Sequence, residues 1–297
     1  MILVTGAGGF IGRRVCALLS RHGAEVLAAD RNFADAMPCQ TITADLTETP
    51  ILAGLFQEHS FEAVVHLASL LKTASQQRPQ QAMRTNVGVS LSLLDLAARY
   101  GVSRFVYASS ISVYGTKRLA EWGSVSESMP ASPEDIYGVS KRFVEIAGES
   151  YRQQGGLDFI SLRISTVLGA GARSPTSRWR SEIFEKLSTR QAVTIDLPYL
   201  ADEILPFVHV EEVAEGVWHL LQAGQVAHAI YNAPSENWVC EELARCVSEV
   251  NEKIGFRFGQ SHVTGTPQAI DASRFSEEFG ANPIPLPQRL GATAGQN

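Results

Sequence analysis

The sequence predicts an α/β fold, a doubly wound parallel sheet with a smaller, irregular lobe interleaved with its second half. Three observations predict it. Strand and helix signals alternate through the first half of the chain. Two strand candidates, AVVHLAS (63–69) and RFVYASS (104–110), are mostly apolar, as strands covered on both faces of a parallel sheet must be. A glycine-rich turn, TGAGGFIG, joins the first strand to the first helix. Strand, helix and strand at this spacing make right-handed crossover units. Ligands of such sheets bind beyond the carboxyl ends of the strands.

Taken in order, ILVT (2–5) is a short apolar strand, and residues 11–22 follow with helical spacing until Gly23 stops them. AEVLAAD (24–30) is the next strand, and QTITAD (40–45) reads as a short strand near an edge. After strand 63–69 comes a long helix over 80–99, ended by Tyr100 and Gly101. Strand 104–110 precedes a second long helix over 137–154, and DFISLRIS (158–165) is again a strand. The pattern loosens after Gly169: residues 169–206 are rich in Arg, Ser and Thr and are broken by Pro175 and Pro198. FVHV (207–210) and AIYNAP (229–234) read as strands, and 211–222 as a helix led by two glutamates that suit its positive end. CEELARCVSEV (240–250) is a helix by its apolar spacing, and the tail PLPQRLGATAGQN (285–297) reads as loosely ordered.

The glycine turn carries the first chemical signal. Gly6, Gly9 and Gly12 stand three residues apart between a strand and a helix, the context a dinucleotide site requires. Gly6 permits the tight turn, Gly9 lets the backbone approach a pyrophosphate, and Gly12 allows close helix–strand packing; free amides at the helix N-terminus then face the phosphates. Asp30 ends the second strand, eighteen residues beyond Gly12. A carboxylate there accepts hydrogen bonds from the adenosine ribose hydroxyls and repels a 2′-phosphate, so NAD is expected over NADP. Arg31 follows directly and weakens the exclusion, since a guanidinium can pair with a phosphate. Asp45 and Leu46 close the third strand and could edge the adenine.

The second signal is YGVSK, which puts Tyr137 and Lys141 four residues apart on one helix face. A phenol titrates near 10 and is a poor base at neutral pH. A neighbouring ammonium and a positive nicotinamide ring stabilise its phenolate, which can then take a proton from an alcohol while hydride leaves the same carbon. Lys141 could also hold the nicotinamide ribose. Ser110 lies at the carboxyl end of strand 104–110, placed to orient a substrate hydroxyl or carbonyl; Ser109 fits a strand-capping role better.

Composition bounds the partners. The 297 residues carry 25 Lys and Arg against 31 Asp and Glu, a formal charge of −6, which leaves no footprint for a nucleic-acid backbone. A small pocket can still be locally positive. The four cysteines, Cys16, Cys39, Cys240 and Cys246, have neither CxxC nor zinc-finger spacing, so a reducing, cytoplasmic setting and no metal are expected. No stretch has the length of a membrane span, and no signal segment is visible.

Taken together, TGAGGFIG, Asp30, the DL pair at 45–46, HLAS at 66–69, Asn86, SSISVYG at 109–115, YGVSK and FVHVEEVA at 207–214 resemble the extended short-chain dehydrogenase/reductases, specifically the NAD-dependent epimerase/dehydratase family. The resemblance covers about residues 1–232. It implies a Rossmann domain over 1–168. Residues 169–297 would be mainly a substrate-binding lobe, with segments around 207–232 returning to the sheet. It implies Tyr137 as base, Lys141 as its partner and Ser110 as third catalytic member. Phe10 and Ile11 would cover the pyrophosphate with their amides, and Leu67, Ala68 and Ser69 would run beside the cofactor. Asn86 would support the same network. Helices 80–99 and 137–154 would form a homodimer interface.

The chain departs from the family's nucleotide-sugar members in two places. LRISTVLGA stands where they usually read LRYFNVYGP, which puts Thr166 at the Asn that touches the sugar nucleotide. LPFVHV puts Leu205 at a phosphate-binding Arg. Arg173, Arg178 and Arg180, clustered around Trp179, could take over phosphate binding. The leading expectation is a nucleotide-sugar 4-epimerase-like enzyme that retains its NAD. The alternative is a dehydrogenase of a non-nucleotide sugar, hydroxy acid or other small alcohol. A non-catalytic dinucleotide sensor is a third reading, disfavoured by the intact Tyr–Lys pair.

Overall fold

The computed structural model describes residues 1–172, 177–281 and 283–295. From the N-terminus, β1 (Ile2–Thr5), α1 (Phe10–Arg21), β2 (Val26–Asp30), β3 (Gln40–Thr43), α2 (Thr49–Glu58) and β4 (Ala63–His66) alternate. A broken helical stretch follows: α3 (Lys72–Gln77), α4 (Pro79–Ala82), a π-helical segment (Met83–Val89) and α5 (Ser90–Arg99). Then come β5 (Arg104–Ser110), a 3₁₀ turn (Ile111–Tyr114), α6 (Leu119–Trp122), α7 (Ile136–Gln153), β6 (Asp158–Ile164) and β7 (Thr166–Leu168). The last part contains α8 (Trp179–Glu185), β8 (Val193–Tyr199), β9 (Ile204–His209), α9 (Val210–Gln222), β10 (Ile230–Asn232) and β11 (Glu236–Val239). It ends with α10 (Cys240–Val250), β12 (Ile254–Ser261), α11 (Ser273–Phe279) and α12 (Leu286–Gly295).

Seven strands form one parallel sheet in the order β3-β2-β1-β4-β5-β6-β10. The strand order reverses between β1 and β4, so their carboxyl ends open a crevice between diverging loops, the place where such sheets hold ligands. One face is covered by α1, α9 and α11 through Val15, Leu19, Val217, Leu220 and Phe275; the other by α2, α5 and α7 through Leu52, Phe56, Leu93 and Val144. Burial on both faces explains why the central strands read as apolar runs.

The second lobe has its own core, with Trp179, Ile183, Leu197, Phe207, Leu243 and Leu290 at its centre. Here the structure departs from several expectations. FVHV belongs to β9, which pairs with β7 and β11 in a separate three-stranded sheet. The segments that return to the main sheet are α9, beside α1, and β10, against β6. Residues 169–206 hold α8 and β8, and β8 pairs in parallel with β12; these elements are short, and their partners lie far along the chain. The tail is helical in α12, where Leu286 and Leu290 are buried. Its prolines lie at or before the helix start, where they fit a first turn, and the packing of two leucines stabilises a segment of weak intrinsic propensity. Among the described residues no helix is long and apolar enough to cross a membrane.

Candidate active site

The loop after β1 is shaped by contacts that exclude side chains. Gly6 has φ +69°, and a β-carbon on it would lie 2.6 Å from the Ala68 nitrogen in the loop after β4. A β-carbon on Gly12 would collide with the Gly6 carbonyl and Ala7, so α1 lies directly against the turn. Gly9 is the N-cap of α1 and no side chain caps it; the amides of Phe10 and Ile11 lie in that first turn, where intrahelical acceptors are lacking. This is a cradle for a pyrophosphate, and the residues present fit NAD.

Asp30 completes the cradle. Its Oδ2 accepts from the Gly8 amide at 3.0 Å and its Oδ1 from the Arg31 amide at 2.6 Å. The Asn32 amide adds a longer bond to Oδ1 at 3.4 Å, and the Oδ2 side, with one donor, keeps a lone pair for a ribose hydroxyl. Gly8, which the glycine pattern does not single out, is required as well, because a β-carbon there would collide with the Asn32 carbonyl. Asp45 accepts from the Thr47 amide at 3.0 Å and hydroxyl at 2.8 Å, and these bonds, with the Arg31 charge, hold its carboxyl below the usual range. Leu46 is buried, and Leu67, Ala68 and Ser69 form the partly exposed wall across from Gly6.

Ser110 ends β5 and caps the 3₁₀ turn, with its Oγ accepting from the Ser112 amide at 3.2 Å. Tyr137 stands in the first turn of α7, whose N-cap is Asp135, accepting from the Gly138 amide at 2.8 Å. The helix signal in the sequence starts at Tyr137; the capping carboxylate two residues earlier is the cue that sets the true start. Burial pushes the Tyr137 phenol up to about 12, while the nearby Ser110 hydroxyl and the Arg180 charge pull it down; that hydroxyl donates to Ser112 Oγ at 3.2 Å. Lys141 is 2% exposed, and its Nζ donates to the Ala108 carbonyl at 2.7 Å. The ammonium lies 4.8 Å from the ring centre of Tyr107 and 5.5 Å from that of Tyr137. Burial lowers its pKa to about 7, against the pull of Glu145.

Behind this wall runs a buried polar layer. Asn86, in the π-helical segment and 1% exposed, accepts from the Leu70 amide at 2.7 Å and donates to the Leu70 carbonyl and to Ser140. Its amide is committed to clamping the loop after β4 against α7. Ser90 donates to the Asn86 carbonyl at 2.6 Å and so accepts from His66 Nε2 at 2.8 Å; His66 Nδ1 then accepts from the Thr5 hydroxyl at 2.6 Å. Burial, with the Lys141 charge, drives this histidine down to about 3, so it is neutral. Sequence spacing gives no sign of this chain of bonds, because its members come from β1, β4 and two helical segments.

The arginine cluster divides. Arg178 is 70% exposed and pairs with Glu182 at 2.9 Å. Arg180 is partly buried beside Trp179, and its charge acts on the hydroxyls of Tyr137 and Tyr199. Arg173 lies outside the described residues. Thr166 begins β7, opposite Phe207, and Leu205 packs in the second core. Lys72, unremarked in the sequence, bridges the α7 cap and the C-terminal segment: its Nζ lies 3.1 Å from Asp135 and donates to the Thr264 carbonyl at 2.8 Å.

A family model described as the NAD dependent epimerase/dehydratase family matches residues 2–233. A UDP-glucose 4-epimerase from Corynebacterium glutamicum is 32% identical over 174 residues, which are 57% of this chain and only about half, 52%, of that relative. Another, from Rhizobium leguminosarum bv. trifolii, is 26% identical over 314 residues, covering 95% of this chain and 94% of the relative. An L-threonine dehydrogenase from Cupriavidus necator, solved in its holo form, has the same fold: TM-score 0.87 at 23% identity, covering 100% of this chain and 99% of that one. The expected α/β fold and NAD dependence agree with these matches.

Proposed function

We propose that this chain, which belongs to the NAD-dependent epimerase/dehydratase family, transfers hydride reversibly at a sugar hydroxyl, as a nucleotide-sugar 4-epimerase does. One observation carries the reading: Lys141, one turn beyond Tyr137 on α7, sets its Nζ 5.5 Å from the Tyr137 ring centre and donates to the carbonyl of Ala108, two residues before Ser110 at the carboxyl end of β5. The amides of the Gly6–Gly12 cradle would hold the pyrophosphate of NAD and Asp30 the adenosine ribose. When bound, NAD supplies the hydride acceptor and donor. Ser110 Oγ orients the substrate hydroxyl. Tyr137 Oη takes its proton and gives it back on reversal. Lys141 holds a positive charge behind the phenol and favours its ionised form. The 4-epimerase relatives support a sugar nucleotide as substrate.

A second reading, a dehydrogenase of a small hydroxy compound, is favoured by Arg180. Arg180 is partly buried and its charge reaches the Tyr137 hydroxyl, so it would attract an anionic group on the substrate. The test is to offer UDP-glucose without added cofactor and follow its conversion to UDP-galactose. Conversion supports the epimerase. Its absence, together with NADH formation from a phosphate-free hydroxy acid, supports the dehydrogenase instead.

The second lobe, around α8 and β8, would close over the substrate. A homodimer completes the reading: Ile136, Val139, Phe143 and Ile146 are exposed along one stripe of α7, with Met83 exposed on the neighbouring π-helical segment. An apolar stripe of this length suits a second copy of itself. Free thiols at Cys16, Cys39, Cys240 and Cys246 fit a cytoplasmic setting.

A further inference from the structure

Glu145 stands two turns beyond Tyr137 and one beyond Lys141 on the same face of α7, and it is 0% exposed. A buried carboxylate survives only when charge and hydrogen bonds compensate it. Here Arg163 of β6 approaches it with two nitrogens, at 2.9 and 2.8 Å. The hydroxyls of Ser109 and Ser161 donate to it at 2.7 and 3.2 Å, and Arg142 at 3.1 Å. Arg163 is itself fixed, its guanidinium 4.6 Å from the Tyr114 ring centre, and the Tyr114 hydroxyl donates to Asn232 of β10 at 2.7 Å. The carboxylate is therefore tied to β5, β6 and its own helix. Ser109, which donates to it, is the neighbour of Ser110.

Lys141 by contrast has little to keep it charged. Its surroundings are the Ala108 carbonyl, the rings of Tyr107 on β5 and Tyr137 on α7, and neutral His66 on β4. Among the described residues that act on its charge, Glu145 is the one anion, backed by the cations Arg163 and Arg142. We propose that Glu145 is a positioning residue for the reaction: its fixed carboxylate keeps the Lys141 ammonium protonated and holds α7 in register with the strand that ends in Ser110. The proposal rests on the catalytic reading of Lys141 for its consequence, but its test does not depend on turnover.

The chain has five lysines, at 72, 117, 141, 186 and 253, so selective ¹³Cε-lysine labelling gives few signals, and Lys141→Arg assigns the one of interest. The midpoint of Lys141 is followed by NMR with and without saturating NAD. In Glu145→Gln it should fall by about one pH unit or more, a tenfold loss of proton affinity, and the pH–rate profile should move with it. Glu145→Asp, which keeps the charge, should recover most of the shift. Arg142→Ala removes a half-exposed cation from the carboxylate and should move the midpoint upward by a few tenths. If Glu145→Gln does not fold, Glu145→Asp decides the matter: drawing the carboxylate back by one methylene should still lower the midpoint by a few tenths. An unmoved Lys141 midpoint in the folded variants, with only a lower melting temperature, overturns the proposal. Unchanged turnover in Lys141→Ala, beside a shifted midpoint in Glu145→Gln, would instead refute the catalytic reading and leave the electrostatic coupling standing.

Discussion

Gly6 and Ala68 touch across the point where the sheet reverses direction: a β-carbon on Gly6 would lie 2.6 Å from the Ala68 nitrogen. The contact joins the loop after β1 to the loop after β4 and narrows the crevice to backbone width. Gly6→Ala must therefore strain a left-handed backbone, at about 1–3 kcal/mol, and also push the two loops apart. Both NAD affinity and melting temperature should fall. A variant that binds NAD as tightly as the wild type, by calorimetry, would show that the crevice tolerates widening.

Cofactor choice should follow Asp30. Its two oxygens are aimed by the Gly8 and Arg31 amides, and the Arg31 charge acts on Asp45, so the adenosine end is acidic on two sides. NAD should bind more tightly than NADP. Asp30→Ala should weaken NAD by roughly 1.5–3 kcal/mol, the worth of a charge-assisted bond, and narrow the difference. Equal affinities in the wild type would mean that Arg31 governs the site.

What the sequence made legible was what depends on local pattern. The Gly6–Gly12 turn, Asp30, and Tyr137 with Lys141 can be read from spacing because one turn, one strand end and one helix face set their geometry. Glu145, Arg163 and Ser90 escaped because their roles exist only once β1, β4, β5, β6 and α7 are assembled. The pairing of β8 with β12, whose partners such as Val193 and Ile254 lie just over sixty residues apart, was hidden for the same reason. Arg178 and Arg180 look alike in the chain, yet two residues on a helix point to different sides; one meets Glu182, the other the neighbourhood of Tyr137.

Acid should weaken the fold through His66. Its pKa is depressed to about 3 in the folded protein against about 6.5 when unfolded, so the unfolded chain binds the extra proton. The stability associated with neutral His66 is complete above about pH 6.5 and is lost progressively as pH falls towards 3, at up to ~1.4 kcal/mol per pH unit. His66→Gln should be less stable overall but show a shallower slope between pH 6.5 and 4. Parallel slopes in denaturant titrations would show that the histidine protonates without cost.

Phe143 is 48% exposed at the middle of the apolar stripe on α7. If two copies meet there, Phe143→Glu would bury a charge at the centre of the contact, and such unpaired burial costs several kcal/mol. Light scattering should find a dimer for the wild type and a monomer for the variant. A monomeric wild type at micromolar concentration rejects the interface.

The base can be tested by separating its proton chemistry from its packing. Tyr137→Phe keeps the ring beside Lys141 and removes only the hydroxyl, so folding and NAD binding should persist. Turnover should drop by about 10²–10⁴, the usual contribution of general acid–base assistance. The base acts as its phenolate, so turnover should rise with pH as Tyr137 ionises. A cation close to a phenol lowers its pKa, so Lys141→Ala should move that rising limb to higher pH. Ser110→Ala removes a hydroxyl that lowers the same pKa and should move the limb in the same direction, with a smaller loss of rate because the base remains. A folded Tyr137→Phe enzyme with wild-type turnover would place the proton transfer elsewhere, and the shifts expected for Lys141 and Ser110 would lose their common cause.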